Sequence, residues 1–259
     1  MGGRGGVSLA GLPDLGPYFE IEIHRPGDPL LAPWRPLTEL LGSPAALRER
    51  AYRVRAALAR AGGLDPDRIE LRVAASVAQL GLAARLIAPA FGVAVLSQRG
   101  LGVDAGQARW VPADGSLFPL SLPAAARPDA EISDVTALSL DIEGRWLGGP
   151  IQDLVDGFAG LSVSGQIMWG NVASAINGAA AMVSRSQPRL RDRATALAEA
   201  LLATPNLAGR HSGVPARPGF RRRSCCLIYR AAPGGGGGYC GDCVLPARQP
   251  GPPPSGLTQ

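Results

Sequence analysis

The chain has 259 residues, of which 46% are hydrophobic, and a formal net charge of +5. It is long enough for one large domain or two small ones with ample core, and all 26 basic residues are arginine, which stays ionised and presents a flat fork of donors wherever it points. No apolar run approaches the roughly 18 residues of a membrane span, and Met1 to Gly6 lacks the apolar segment of a secretory signal, so a cytoplasmic protein is expected.

In chain order, Ser43-Pro44 reads as an N-cap followed by a first-turn proline, and a helix is expected from there to Gly62-Gly63. Its Arg48, Arg50, Arg53, Arg55 and Arg60 lie among alanines and predict a largely solvated element. Asp65-Pro66 repeats the start signal. The next helix carries Ile69, Val73, Val77, Leu80 and Ala84 at helical spacing, ends near Pro89, and should be central to the core.

Four short strand-like stretches follow, Val93 to Leu96, Ala108 to Val111, Leu117 to Leu122 and Ala137 to Ile142, and together they predict an antiparallel sheet. Helical patterning returns from Pro150 through Phe158, then from Ser164 to about Val183 and from Pro188 to Leu202, before a loop over Pro205 to Gly219. The expected architecture is α+β, dominated by helices, with a small antiparallel sheet. Residues 1–215 form the body, 216–245 a cysteine-bearing segment, and 246–259 a Pro/Gly-rich tail expected to be disordered.

All four cysteines, Cys225, Cys226, Cys240 and Cys243, fall in that C-terminal segment. Converging thiolates of this kind are the ligand set of a zinc ion or an iron–sulfur cluster. Cys240-Gly241-Asp242-Cys243 is a normal chelating bite. The Cys225-Cys226 doublet is unusual, because neighbours in an extended strand face opposite sides, so both reach one centre only if the backbone kinks there. That is awkward for one tetrahedral ion and easier for a two-iron cluster with two metal atoms to share among four thiolates; zinc and redox-active thiols remain as alternatives.

Other signals are weak. His24 and His211 are far apart and read as ordinary surface or loop residues. Gly100 to Ala105 imitates a dinucleotide fingerprint, but Gln107 to Pro112 do not make the helix it requires. There is no Gly-x-Ser-x-Gly elbow or phosphate loop. The arginines are scattered, with a single run at Arg221 to Arg223, and the few aromatics do not interleave with them, so no nucleic-acid partner is expected. Arg221, Arg222, Arg223 and Arg230 beside the cysteines read either as a solvated basic edge or as charges that favour a reduced cluster.

Ser224-Cys225-Cys226-Leu227-Ile228-Tyr229-Arg230 with Cys240-Gly241-Asp242-Cys243 resembles the C-terminus of the FhuF-type ferric-siderophore reductases. Arg72 to Gly81 and Met168 to Ala175 also look like blocks of that family. The doublet stands further from Cys240 than in the family pattern, and the surplus coincides with Gly234 to Gly238, which can loop out without moving the ligands. The resemblance implies a [2Fe-2S] cluster held by Cys225, Cys226, Cys240 and Cys243, and one-electron reduction of ferric, hydroxamate-type siderophores in the cytoplasm. With no flavin or nicotinamide site, the electron donor would be a ferredoxin or a ferredoxin reductase, an acidic one suiting the net positive charge.

Against this stand a structural zinc module for protein or nucleic-acid binding, and a ferric-siderophore carrier or sensor that does not reduce its cargo. In the Trp169-Gly170-Asn171 stretch, Trp169 reads as a core anchor and Gly170 as a packing gap; the alternative places Trp169 or Asn171 in a siderophore cleft.

Overall fold

The computed structural model describes residues 9–102, 106–113, 117–124, 131–232 and 238–245. The expected tail and most of the glycine-rich insert lie outside these residues. Helices dominate, as the patterning predicts. After 3₁₀ turns at Leu9–Gly11 and Pro13–Leu15 come β1 (Glu22–His24), β2 (Arg35–Pro36), α1 (Leu37–Leu41) and α2 (Pro44–Gly62). Then follow α3 (Leu71–Ser97), β3 (Arg109–Trp110), β4 (Leu120–Pro123) and α4 (Val135–Ile142). A wide helical turn at Glu143–Ile151, kinked at Gly149, leads into α5 (Gln152–Ala159), α6 (Gly165–Ser186) and α7 (Arg191–Leu202), and the chain ends with β5 (His211–Ser212), β6 (Arg221–Arg222) and a 3₁₀ turn at Ile228–Ala231.

The long α3 is the axis of the fold, packed mainly against α6 and α2. It starts later and runs further than its apolar spacing predicts. Asp65 caps only a short 3₁₀ turn by accepting from the Asp67 N–H, and Pro89 lies inside the helix instead of ending it. Val93 to Leu96, expected as a strand, is therefore its last turn. Pro89 and its flanking residues are buried, so packing on every side outweighs the roughly 3 kcal/mol that an interior proline costs. Gly92 lets the N-terminal segment close on the helix, since a Cβ there would lie 2.6 Å from Phe19 and 2.7 Å from Leu12. By length and composition α3 could cross a membrane, contrary to the sequence expectation, but 72% of its most apolar window is buried inside the fold. A core helix of a globular protein has that character.

Elsewhere the start signals hold. Ser43 accepts from the Ala46 N–H and Ser164 from the Ile167 N–H, each through its hydroxyl. Ala137 to Ile142, expected as a strand, is helix α4, because Asp134 caps it by accepting from the Ala137 N–H at 2.8 Å. The arginines of α2 are less solvated than expected. Arg50 is buried and donates to the Ala113 carbonyl, and Arg55 donates to the Ile69 carbonyl at 2.7 Å.

The four-stranded sheet has the order β1-β4-β3-β2 and is mixed: β1 runs parallel to β4, and the other pairs are antiparallel. Its β1 and β2 are too short to show an alternating pattern. Arg85 of α3 joins helix and sheet layers. Its buried guanidinium donates to the carbonyls of Phe118, Tyr18 and Glu20 at 2.9, 3.0 and 2.5 Å. A separate antiparallel pair, β5–β6, aligns His211 with Arg222 and Ser212 with Arg221, and it presents the cysteine segment to α6.

Two outcomes test this packing. Arg85→Met should cost about 3 kcal/mol or more by leaving buried carbonyls unpaired, seen as a fall of roughly 10 °C in Tm. His211 stacks on Phe220 with centroids 5.2 Å apart, and burial, then Arg223, lowers its pKa below the ordinary 6.5. The unfolded chain then takes up this proton more readily than the folded one, so stability should fall as pH drops from 6.5 through the folded-state value. Replacing His211 with Phe should flatten that part of the acid slope in thermal unfolding followed against pH.

Candidate metal centre

The cysteine segment lies across α6 and the start of α3. Just past the doublet the chain turns: Leu227 has φ 68°, a left-handed conformation that non-glycine residues rarely adopt. Packing holds it, because Leu227 lies against the small apolar cluster of Ala59, Ile69 and Val73. The turn brings the Leu227 N–H to Cys225 Sγ at 3.3 Å. Arg230, just beyond, forms a 2.5 Å ion pair with Glu70 at the head of α3.

The second half of the segment is fixed through Asp242. Its carboxylate accepts from Ser174 Oγ at 2.5 Å and from Asn177 Nδ2 at 3.1 Å, both on α6. Its carbonyl accepts from the Arg222 N–H at 3.0 Å. Gly170 permits the close approach of the other half: Ser224 Oγ occupies the place a Cβ would take, while donating to the Gln166 carbonyl at 3.0 Å.

All four thiols are free. Cys226 and Cys243 are buried, and Cys225 and Cys240 half-buried. Cys226 and Cys240 share a hydrogen bond, and Cys225 feels the charge of Cys226 and Cys243. Among the described residues no three or more His, Cys, Asp or Glu side chains are gathered as one metal ion would gather them.

The charge that dominates the site is Arg222. It is 1% exposed, although Arg221 and Arg223 on either side are exposed. Its guanidinium donates to Asn171 Oδ1 at 2.6 Å and to Cys240 Sγ at 2.8 Å. Its Nε has no hydrogen-bond partner among the described residues. Burial works against its charge, but the Cys226 and Cys240 sulfurs raise its pKa overall. Asn171 is itself fully buried and is held by α3, where its Nδ2 donates to the Ser76 carbonyl, Ser76 Oγ and Gln79 Oε1 at 2.9–3.1 Å.

The sulfurs respond to this field. The Cys226 thiol is drawn down to about 5 by its hydrogen bond with Cys240 and by Arg222, against the opposing effect of burial. Cys240 is pushed up by keeping the shared proton and by burial. Cys225 is also raised, chiefly by burial. A buried cation whose anionic contacts are sulfurs fits a negatively charged, thiolate-ligated group, and the donor set of four cysteines fits iron–sulfur ligation.

The structure thus sets Cys226 against Cys240, does not gather all four cysteines on one point among the described residues, and separates the neighbouring arginines. Arg222 faces inward, Arg221 and Arg223 face solvent, and Arg230 is ion-paired. Period-two alternation along an extended run carries that signal, since the middle of three consecutive arginines must face away from the outer two. Trp169 is a core residue and Gly170 a packing gap; Asn171 lies in the buried network and lines no cleft. The sequence reading missed the roles of Ser76, Gln79, Asn171, Ser174, Asn177 and Asp242.

His24 and His211 are half-buried in β1 and β5 and not on loops. After the Gly100 stretch, of which residues 103–105 lie outside the described residues, comes strand β3 where a dinucleotide site needs a helix.

Residues 222–245 match the family model described as the FhuF 2Fe-2S C-terminal domain. The match takes in all four cysteines and Arg222, so this short segment is similar to that domain. No curated protein matches the chain.

The packing makes a direct prediction. Gly170→Ala should drive Ser224 off α6 and cost about 1–3 kcal/mol, while Ser224→Ala in the same chain should restore most of that loss. A double-mutant cycle of Tm values would show the coupling; additive effects would place the two residues out of contact.

Proposed function

We propose that the chain is a cytoplasmic [2Fe-2S] protein that reduces ferric siderophores of the hydroxamate type by one electron, releasing ferrous iron. The observation that carries this reading is a buried arginine that donates to Cys240 Sγ, within a matched segment that holds four free cysteines. Cys225, Cys226, Cys240 and Cys243 would hold the cluster. When bound, a [2Fe-2S] cluster supplies a one-electron couple. Ferric iron in a siderophore is a hard trivalent ion on anionic oxygens; one electron makes it divalent, weakens its hold and lets it leave.

The chain's own residues supply the setting. Arg222 places a fixed positive charge against Cys240, where added negative charge is favoured, and the apolar packing around Leu227 limits water on the side of the doublet. An open depression of about 330 Å³ is lined by Arg221, Tyr239, Cys240, Gly241 and Cys243, among others. It gives a chelate or a donor protein access to within contact of two ligand residues. Exposed Arg221 and Arg223 suit an acidic electron donor such as a ferredoxin or a ferredoxin reductase.

Anaerobic purification with iron, sulfide and zinc analysis tests the reading. Two irons and two sulfides per chain, a red-brown colour and an EPR signal after dithionite are expected, with reoxidation on adding a ferric hydroxamate. A colourless chain with one zinc, unchanged after anaerobic reconstitution, would leave a structural zinc module. A stable reduced cluster indifferent to ferric chelates would leave a carrier or sensor. Each single Cys→Ser substitution at the four positions should give a bleached or unstable protein; retention of the full cluster by three of the four variants would overturn the ligand assignment.

A further inference from the structure

Four arginines stand near the cysteines in sequence, yet their settings differ in kind. Arg221 and Arg223 face solvent, where water and salt screen their charge. Arg230 is ion-paired with Glu70, which Arg72 also contacts. Arg222 alone is fully buried, and no salt bridge among the described residues pairs it with a carboxylate. It is also clamped: one arm of its fork is held by Asn171 Oδ1 at 2.6 Å and the other donates to Cys240 Sγ at 2.8 Å. Asn171 cannot turn its carbonyl elsewhere, because its amide nitrogen is committed to Ser76 and Gln79 on α3.

We infer that Arg222, positioned by Asn171, is the residue that sets the reduction potential of the centre, through a charged hydrogen bond to the Cys240 sulfur, and that its exposed neighbours do not. The inference rests on the cluster reading above and makes it more specific. A fixed cation in a low-dielectric setting acts more strongly on a nearby change of charge than an exposed one. A charge-assisted hydrogen bond is stronger than a neutral one, and hydrogen bonds to sulfur are among the means by which a protein tunes such a centre. The reduced state carries one more negative charge, so Arg222 stabilises it and raises the potential. Cys240 Sγ takes the guanidinium at 2.8 Å and Cys226 lies in the same field, while Cys225 Sγ takes a backbone N–H. Added charge is therefore favoured on the side of Cys226 and Cys240, and Cys240 also lines the open depression.

The test is a redox titration of the cluster-loaded wild type beside Arg222→Gln, Arg222→Lys, Arg221→Gln and Arg223→Gln. Arg222→Gln should disfavour reduction by at least tenfold, a fall in midpoint potential of roughly 59 mV for a one-electron couple. Arg222→Lys keeps the charge without the fork and should recover part of the shift. Both exposed variants should stay close to wild type. If Arg222→Gln does not load, the comparison between Arg222→Lys and the exposed variants decides: a lower potential in the lysine variant alone supports the inference.

A second readout is pulsed EPR of the reduced protein in D₂O, where a strongly coupled exchangeable deuteron present in wild type should be weakened or lost in the Arg222 variants. Wild-type potentials in both Arg222 variants, or equal shifts from all three arginines, would overturn the inference while leaving the cluster reading intact. A wild-type chain that takes up no iron and sulfide after reconstitution would overturn both.

Discussion

The contact on which the C-terminal segment depends is that of the Arg222 guanidinium, buried between an amide oxygen and a sulfur. A buried charge is costly unless something offsets it, and here the compensation comes from two directions: the Asn171 carbonyl, fixed by α3, and the thiols of Cys226 and Cys240. The same side chain therefore belongs to the core and to the cysteine site. Around it the remaining anchors have simpler roles. Asp242 fastens the second cysteine pair to α6, Gly170 makes room for Ser224, and Leu227 turns the backbone just past the doublet.

These anchors come from distant parts of the chain. Ser76 and Gln79 stand on α3, while Asn171, Ser174 and Asn177 stand on α6, and those two helices pack extensively against each other. Arg72 to Gly81 and Met168 to Ala175 lie on the helices that meet beneath the cysteine segment. Their small residues let the helices approach. Their few polar side chains are spent on holding one arginine and one aspartate.

Much of this was legible in the residues. The four cysteines, the helix starts at Ser43 and Ser164 and the coarse α+β class all follow from local chemistry, since a cap or a chelating pair acts within a few residues. The misreadings have a common cause. Val93 to Leu96 and Ala137 to Ile142 are apolar runs whose identity as helix depends on what surrounds them, and Pro89 is tolerated only because the rest of α3 is buried. The short β1 and β2 are paired by tertiary contact and carry no period of their own. Arg222 and Asn171 were named among the candidates, but their meeting is a long-range event that neither neighbourhood encodes.

The anchoring of the cysteine segment also bears on how a cofactor would be acquired. In small zinc modules the metal supplies the folding energy, and the chain is unfolded without it. Here the turn at Leu227, the Asp242 bonds to α6 and the Asn171–Arg222 clamp are contacts of the polypeptide with itself. The segment can therefore be anchored to the body before anything is bound in it. If it holds a cluster as proposed, loading would leave the anchors in place and ask only the thiols to adjust.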